Sequence, residues 1–186
     1  MTLEPEPGAT PPGKPRGGRI GAWLDRTRRY GHLRFLFEAT LAAMLLRIPV
    51  VWIGAPIVGT EARTAHDWLA DYGPLELFLL AVVIGPIVET ALAQWAPIAI
   101  GRRLFPHDAH AIVMSAWIFG WLHFTQGALL VLIMFTTGLV LAWTFVVWRE
   151  RGWLHAFVMT FAVHALLNSV ALAAALLTPA SPATPA

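Results

Sequence analysis

The chain has 186 residues with 13 basic and 11 acidic side chains, a formal net charge of +2, and 57% hydrophobic residues. A mean hydropathy of +0.62 with only 13% charged residues is that of a membrane protein and excludes an ordinary soluble domain. No cysteine is present, which excludes disulfides, a thiol nucleophile and a thiolate metal site. Most of the arginines flank apolar runs, as topology signals do, and this excludes nucleic acid as a partner.

Taken in order, residues 1–18 are rich in proline and glycine and too polar to offset the entropy of ordering, so a disordered tail is expected there. Residues 19–34 carry Arg26, Arg28, Arg29 and Arg34 with Trp23 and Tyr30, the composition of a basic juxtamembrane segment. No cleavable signal peptide is legible, because such a peptide needs an early apolar core and a small-residue cleavage site. A transmembrane helical bundle is then expected over residues 35–177. Its five apolar runs lie near Phe35 to Ile57, Leu75 to Ile100, Ala111 to Phe124, Leu129 to Trp148 and Trp153 to Leu177. Crossing about 30 Å of hydrocarbon takes about 20 helical residues, so the third run is short. The fold class that follows is all-α, a polytopic bundle of about five spans. Residues 178–186 form a polar, proline-rich tail for which disorder is again expected.

Basic loops alternate with neutral or acidic ones. GRRLFPHD and WRERG carry Arg102, Arg103, Arg149 and Arg151, whereas GTEARTAHDWLADYGP is net acidic and FTQG is neutral. The N-terminus is therefore expected inside and the C-terminus outside, in a bacterial inner membrane.

Within these spans the polar side chains are few: Glu38, Arg47, Glu89, Gln94, His123, His164 and Asn168. Each costs at least a few kcal/mol in hydrocarbon, so each calls for a partner or a purpose. Residues four apart on a helix share a face, which pairs Phe119 with His123, His164 with Asn168, and Thr90 with Gln94. Depth adds a second test. Thirteen residues separate Glu89 from Arg102, His110 from His123 and Arg151 from His164. At about 1.5 Å per residue, three helices put a carboxylate and two imidazoles in one plane, about 20 Å from the basic flank. Glu38 and Arg47 are nine residues apart, too far for a helical pair, and are read as interfacial or as pairing with other spans. His32, His66, His107, His110 and His155 fall in or near loops, where solvation is expected.

A carboxylate next to an imidazole can take a proton from water, and a second imidazole with a carboxamide can stabilise an oxyanion. That describes amide hydrolysis by activated water without a cofactor. Glu89, His123 and His164 could alternatively hold a divalent metal. A proton relay or small transporter would use the same buried groups, but an inverted repeat is missing.

The stretches PIVETALAQW, FGWLHF and HALLN, in this order, resemble the CPBP intramembrane proteases, the CAAX prenyl endopeptidase and bacteriocin-processing (Abi) family. The resemblance runs from about Pro86 to Val170. Phe119 and His123 fit the family's FxxxH, and His164 and Asn168 fit its HxxxN. Glu89 fits the first glutamate of its EExxxR, while Thr90 and Gln94 replace the second glutamate and the arginine. The resemblance implies a glutamic-type endopeptidase with four catalytic residues. Glu89 would activate water with His123, and His164 with Asn168 would hold the oxyanion. Thr90 and Gln94 are expected to replace the lost ion pair by a neutral hydrogen bond. The implied partners are the lipid bilayer and a membrane-bound protein or peptide substrate. A catalytically inactive member that binds a partner or confers immunity is the alternative.

Overall fold

The computed structural model describes residues 31–59 and 72–177. The expectations for the two tails and for most of the basic juxtamembrane segment lie outside these residues. Five helical rods make up the rest: α1, His32–Val58; α2, Pro74–Leu104; α3, Asp108–Trp121; α4, Ala128–Trp148; and α5, Trp153–Leu177. The fold is an all-α polytopic bundle. Of the five runs expected to span, α1, α2, α4 and α5 are long and apolar enough to cross a membrane. The third run is the short helix α3, whose 14 residues reach only about 21 Å at about 1.5 Å per residue.

Local chemistry sets the ends. Pro74 opens α2 at a position where its missing N–H costs nothing, and the Glu76 carboxylate accepts the N–H of Gly73 at 2.9 Å. Arg102 Nη1 meets Asp108 Oδ1 at 2.8 Å and ties the end of α2 to the start of α3. Gly127 and Gly152 have φ of 109° and 115° immediately before α4 and α5, a backbone that L side chains rarely adopt. The neutral turn FTQG and the basic turn WRERG both depend on that glycine.

Helix α4 is the centre of the bundle, with Leu141, Ala142 and Phe145 fully buried. Its contact with α3 is close because of glycine. A Cβ built on Gly138 would lie 2.9 Å from the Cα of Ala116 and 3.1 Å from the Cβ of Phe119, and one on Gly120 would lie 2.8 Å from the Val131 carbonyl oxygen. Small residues let two backbones approach where lipid supplies no hydrophobic driving force. Leu33, Trp52, Ile53, Ile57 and Leu154 are exposed, the inside-out pattern expected of a surface that faces hydrocarbon.

Helix α2 is not a regular α-helix. Leu79–Ile84 and Thr90–Trp95 are π-helical, and each segment ends two residues before a proline. In the first, the N–H of Gly85 bonds to the carbonyl of Leu80, and in the second that of Ala96 bonds to Ala91. The next residues, Pro86 and Pro97, have no N–H to offer. In the first case a neighbouring helix supplies the donor. Asn168 Nδ2 on α5 donates to the carbonyl of Ala81 at 2.8 Å, and further along the Ser115 hydroxyl on α3 donates to that of Ala93 at 2.5 Å. Inside a bilayer this is how a proline-interrupted helix keeps its backbone satisfied.

His32 and His155 stand in the first turns of α1 and α5, next to loops as expected, and His32 is exposed. Their Nε2 atoms are 3.1 Å apart, and both stack on Trp148 with ring centroids 4.9 and 5.1 Å away. This aromatic cluster joins the start of α1 to the junction of α4 and α5.

Candidate active site

Glu89 lies between the two π segments of α2, at the end of the short α-helical stretch Gly85–Glu89. Its carboxylate Oε2 faces His164 Nε2 of α5 at 3.4 Å. The side chain of His164 is buried at 3% exposure, whereas that of Glu89 keeps 31%. The carboxylate can therefore be reached while the imidazole behind it is held. A separation of 3.4 Å is slightly long for a hydrogen bond, and catalytic contacts often have that length before substrate tightens them.

His123 lies two residues past the end of α3, where the chain turns toward α4. Its Nδ1 lies 2.9 Å from the carbonyl oxygen of Phe119. A carbonyl only accepts, so Nδ1 carries the hydrogen and Nε2 of the neutral ring is left as an acceptor. Phe119, buried at 1% exposure, touches both imidazoles. Its ring centroid is 5.2 Å from that of His123 and 5.3 Å, edge to face, from that of His164. The FxxxH spacing thus sets a phenyl ring against the histidine of HxxxN, on another helix.

Two of the four sequence-derived residues meet directly, Glu89 and His164, and His123 is joined to His164 through the ring of Phe119 that lies between them. The histidine that faces the carboxylate is His164, not the His123 expected to activate water with it. Asn168 reaches toward the Ala81 carbonyl on α2. One of its two amide hydrogens is thereby used, and one remains. Among the described residues, no three His, Asp or Glu side chains come together as a metal ion would need, so Glu89, His123 and His164 do not form the donor set of the metal reading.

Thr90 and Gln94 are fully buried. Thr90 Oγ1 and both amide atoms of Gln94 have no hydrogen-bond partner, so the neutral hydrogen bond expected between them is not formed. The extra residue of the π turn alters the spacing that an α-helical i,i+4 pair requires.

Of the two expectations for Arg47, an interfacial place or pairing with another span, the second holds. Its Nε donates to Thr137 Oγ1 of α4 at 3.0 Å. Glu38 is held at the surface by Arg34, Nε to Oε1 at 2.7 Å. The signal that could have marked Arg47 as interior is its register. Phe35, Ala39 and Ala43 step by four along the buried face of α1, and Arg47 is the next step.

A family model described as type II CAAX prenyl endopeptidase Rce1-like matches residues 72–170. The match includes Glu89, His123, His164 and Asn168 and leaves α1 outside. No curated protein and no solved structure matches the chain.

Proposed function

Because the chain belongs to the Rce1-like family of type II CAAX prenyl endopeptidases, we propose that it hydrolyses a peptide bond of a membrane-associated substrate, with Glu89 as general base and then general acid. The observation that carries this reading is the Glu89 carboxylate, accessible on one side and set 3.4 Å from the buried imidazole of His164 on the other.

The steps follow from the donors and acceptors available. The Glu89 carboxylate takes a proton from water, and the hydroxide oxygen adds to the scissile carbonyl carbon. The π electrons of the carbonyl move to its oxygen. His123 presents Nε2 as a second acceptor for the same water and steers its lone pair. When the tetrahedral intermediate collapses, the C–N bond breaks and Glu89 returns the proton to the leaving nitrogen. A carboxylic acid and an amine result, and the acid then loses its proton to solvent. His164 orients the Glu89 carboxylate. The remaining amide hydrogen of Asn168 is a donor for the oxyanion, a contact worth about 3 kcal/mol in a dry site. The orientation we assign, from loop charge, is N-terminus inside in a bacterial inner membrane. The bundle is read as one unit over residues 35–177. The silent-binding alternative gains nothing from the family match.

Glu89→Gln tests the reading. In proteoliposomes with a membrane-anchored peptide it should lower turnover by roughly 100-fold or more, the scale of general-base catalysis, with helical content unchanged. Cleavage at the unmutated rate would remove Glu89 from the chemistry.

A further inference from the structure

Helix α5 presents one stripe to α2. Trp153, Thr160, His164 and Asn168 follow one another at spacings of seven, four and four, which keeps them on one face of an α-helix. Three of the four meet α2. The Trp153 ring lies 6.3 Å, edge to face, from that of Trp95, His164 faces Glu89 at 3.4 Å, and Asn168 donates to the Ala81 carbonyl. Thr160 stands between the first two of these contacts and so faces the same seam. On α2, between Glu89 and Trp95, stands Thr90. Both threonines are at 0% exposure.

Their hydroxyls behave unlike those of α4. Thr136, Thr137 and Thr144 on α4, and Ser169 on α5, each donate to a carbonyl three or four residues back at 2.8 to 3.0 Å, the usual recourse of a hydroxyl on a helix. Thr90 and Thr160 do not, and no protein group reaches either hydroxyl. His164 adds a third such atom. The Glu89 carboxylate only accepts, so the Nε2 that faces it carries the hydrogen, and Nδ1 of the neutral ring is left as an acceptor. That Nδ1 is buried and meets no protein donor. Three buried polar atoms without protein partners thus collect along one seam, behind the reactive carboxylate. Left dry, each would bear its full desolvation cost. Atoms of this kind are what a buried water serves.

We infer that a water molecule held by the Thr90 and Thr160 hydroxyls donates to His164 Nδ1, which makes Thr160 a positioning residue for the Glu89–His164 pair. The water gives one hydrogen to Nδ1 and makes its other bonds with the two hydroxyls, about the three that a buried water usually has. Gln94 is not required. The bond to Nδ1 keeps that nitrogen free of hydrogen and holds the ring plane, so that Nε2–H stays aimed at the carboxylate. The effect on turnover rests on the hydrolytic reading above, whereas the bound water does not.

Solid-state NMR of the full chain, labelled with 15N-histidine in lipid bilayers, reads the site, and the spectrum of His164→Gln assigns the signal by difference. His164 Nδ1 should resonate as a ring nitrogen without hydrogen, and it should receive magnetisation from water protons although the side chain is only 3% exposed. Thr160→Val keeps the side-chain shape and removes the hydroxyl. It should abolish that transfer and lower the unfolding midpoint, where loss of a hydroxyl that served no water would raise it. Thr160→Ser should restore both. With a membrane-anchored peptide, Thr160→Val should lower kcat by up to roughly tenfold at unchanged KM, the rate equivalent of one hydrogen bond, and Thr160→Ser should recover it. An Nδ1 that carries hydrogen, or no transfer from water in the unmutated protein, overturns the site even where Thr160→Val does not fold. Transfer at full strength in Thr160→Val, or a raised midpoint, overturns it as well. An unchanged kcat in a Thr160→Val protein that has lost the water removes the positioning role. Failure of the hydrolytic reading is separable, because transfer and unfolding decide the water even if the unmutated protein cleaves no peptide.

Discussion

Asn168 Nδ2 donates to the carbonyl oxygen of Ala81 at 2.8 Å, and that carbonyl is the one Pro86 cannot serve. Gly85 bonds five residues back to Leu80, so in the same register the next donor, for Ala81, would be the N–H that proline lacks. One side chain of a motif read as catalytic therefore also holds the helix that carries Glu89.

This double role can be separated. Asn168→Ala should cost about 1 to 3 kcal/mol of stability, the range for a buried acceptor left without its donor. Pro86→Ala returns an N–H to α2, so the double variant should lose less stability than the sum of the singles, as a double-mutant cycle in detergent unfolding would measure. If turnover stays low while stability returns, Asn168 acts on the substrate. If both return, it only positions α2. Additive stability losses would disprove the link to Pro86.

A second side chain meets the backbone of α2 further along, where the Ser115 hydroxyl of α3 donates to the Ala93 carbonyl. Ser115→Ala should destabilise by about 1 kcal/mol, the net contribution of such a bond. Unfolding midpoints that coincide with those of the unmutated protein would count against it.

Gln94 is fully buried with neither amide atom partnered, an arrangement worse than an apolar side chain of equal size. Gln94→Met should raise stability by about 1 kcal/mol and leave peptide cleavage intact, measured as thermal unfolding and kcat/KM. Lost cleavage without lost stability would bring Gln94 into the site.

Gly138 keeps α3 and α4 close and fixes Phe119, since an added Cβ would meet the backbone of Ala116 at 2.9 Å and the Cβ of Phe119 at 3.1 Å. Backbone cannot rotate aside as a side chain can, so Gly138→Val should cost about 1 to 3 kcal/mol by overpacking. It should also lower turnover in the fraction that folds, because the two imidazoles lean on the displaced phenyl ring. An unchanged rate would show that Phe119 does not position the histidines.

How much of this was legible in the residues varies with the interaction. Apolar length and charge placement gave four of the spans and the class of fold, and they flagged α3 as short, because hydrocarbon thickness sets helix length independently of neighbours. Spacing by four anticipated the contact of Phe119 with His123, which holds although His123 falls in the turn just past α3, where its Nδ1 meets the Phe119 carbonyl.

What the tertiary structure decided was azimuth. Which histidine faces Glu89 depends on how α2 turns toward α5, and each π segment adds a residue, or about 100° of rotation, to everything beyond it. Pro86 lacks a donor N–H whatever surrounds it, but that the freed carbonyl of Ala81 finds a partner depends on Asn168 reaching it from α5. Arg47 is the same case. Its step-by-four register could be read directly, yet its partner Thr137 lies 90 residues away in the chain, and only packing of α1 on α4 brings them together. A linear chain fixes which groups a helix presents and at what depth, whereas the direction each group faces is set by the helices packed around it.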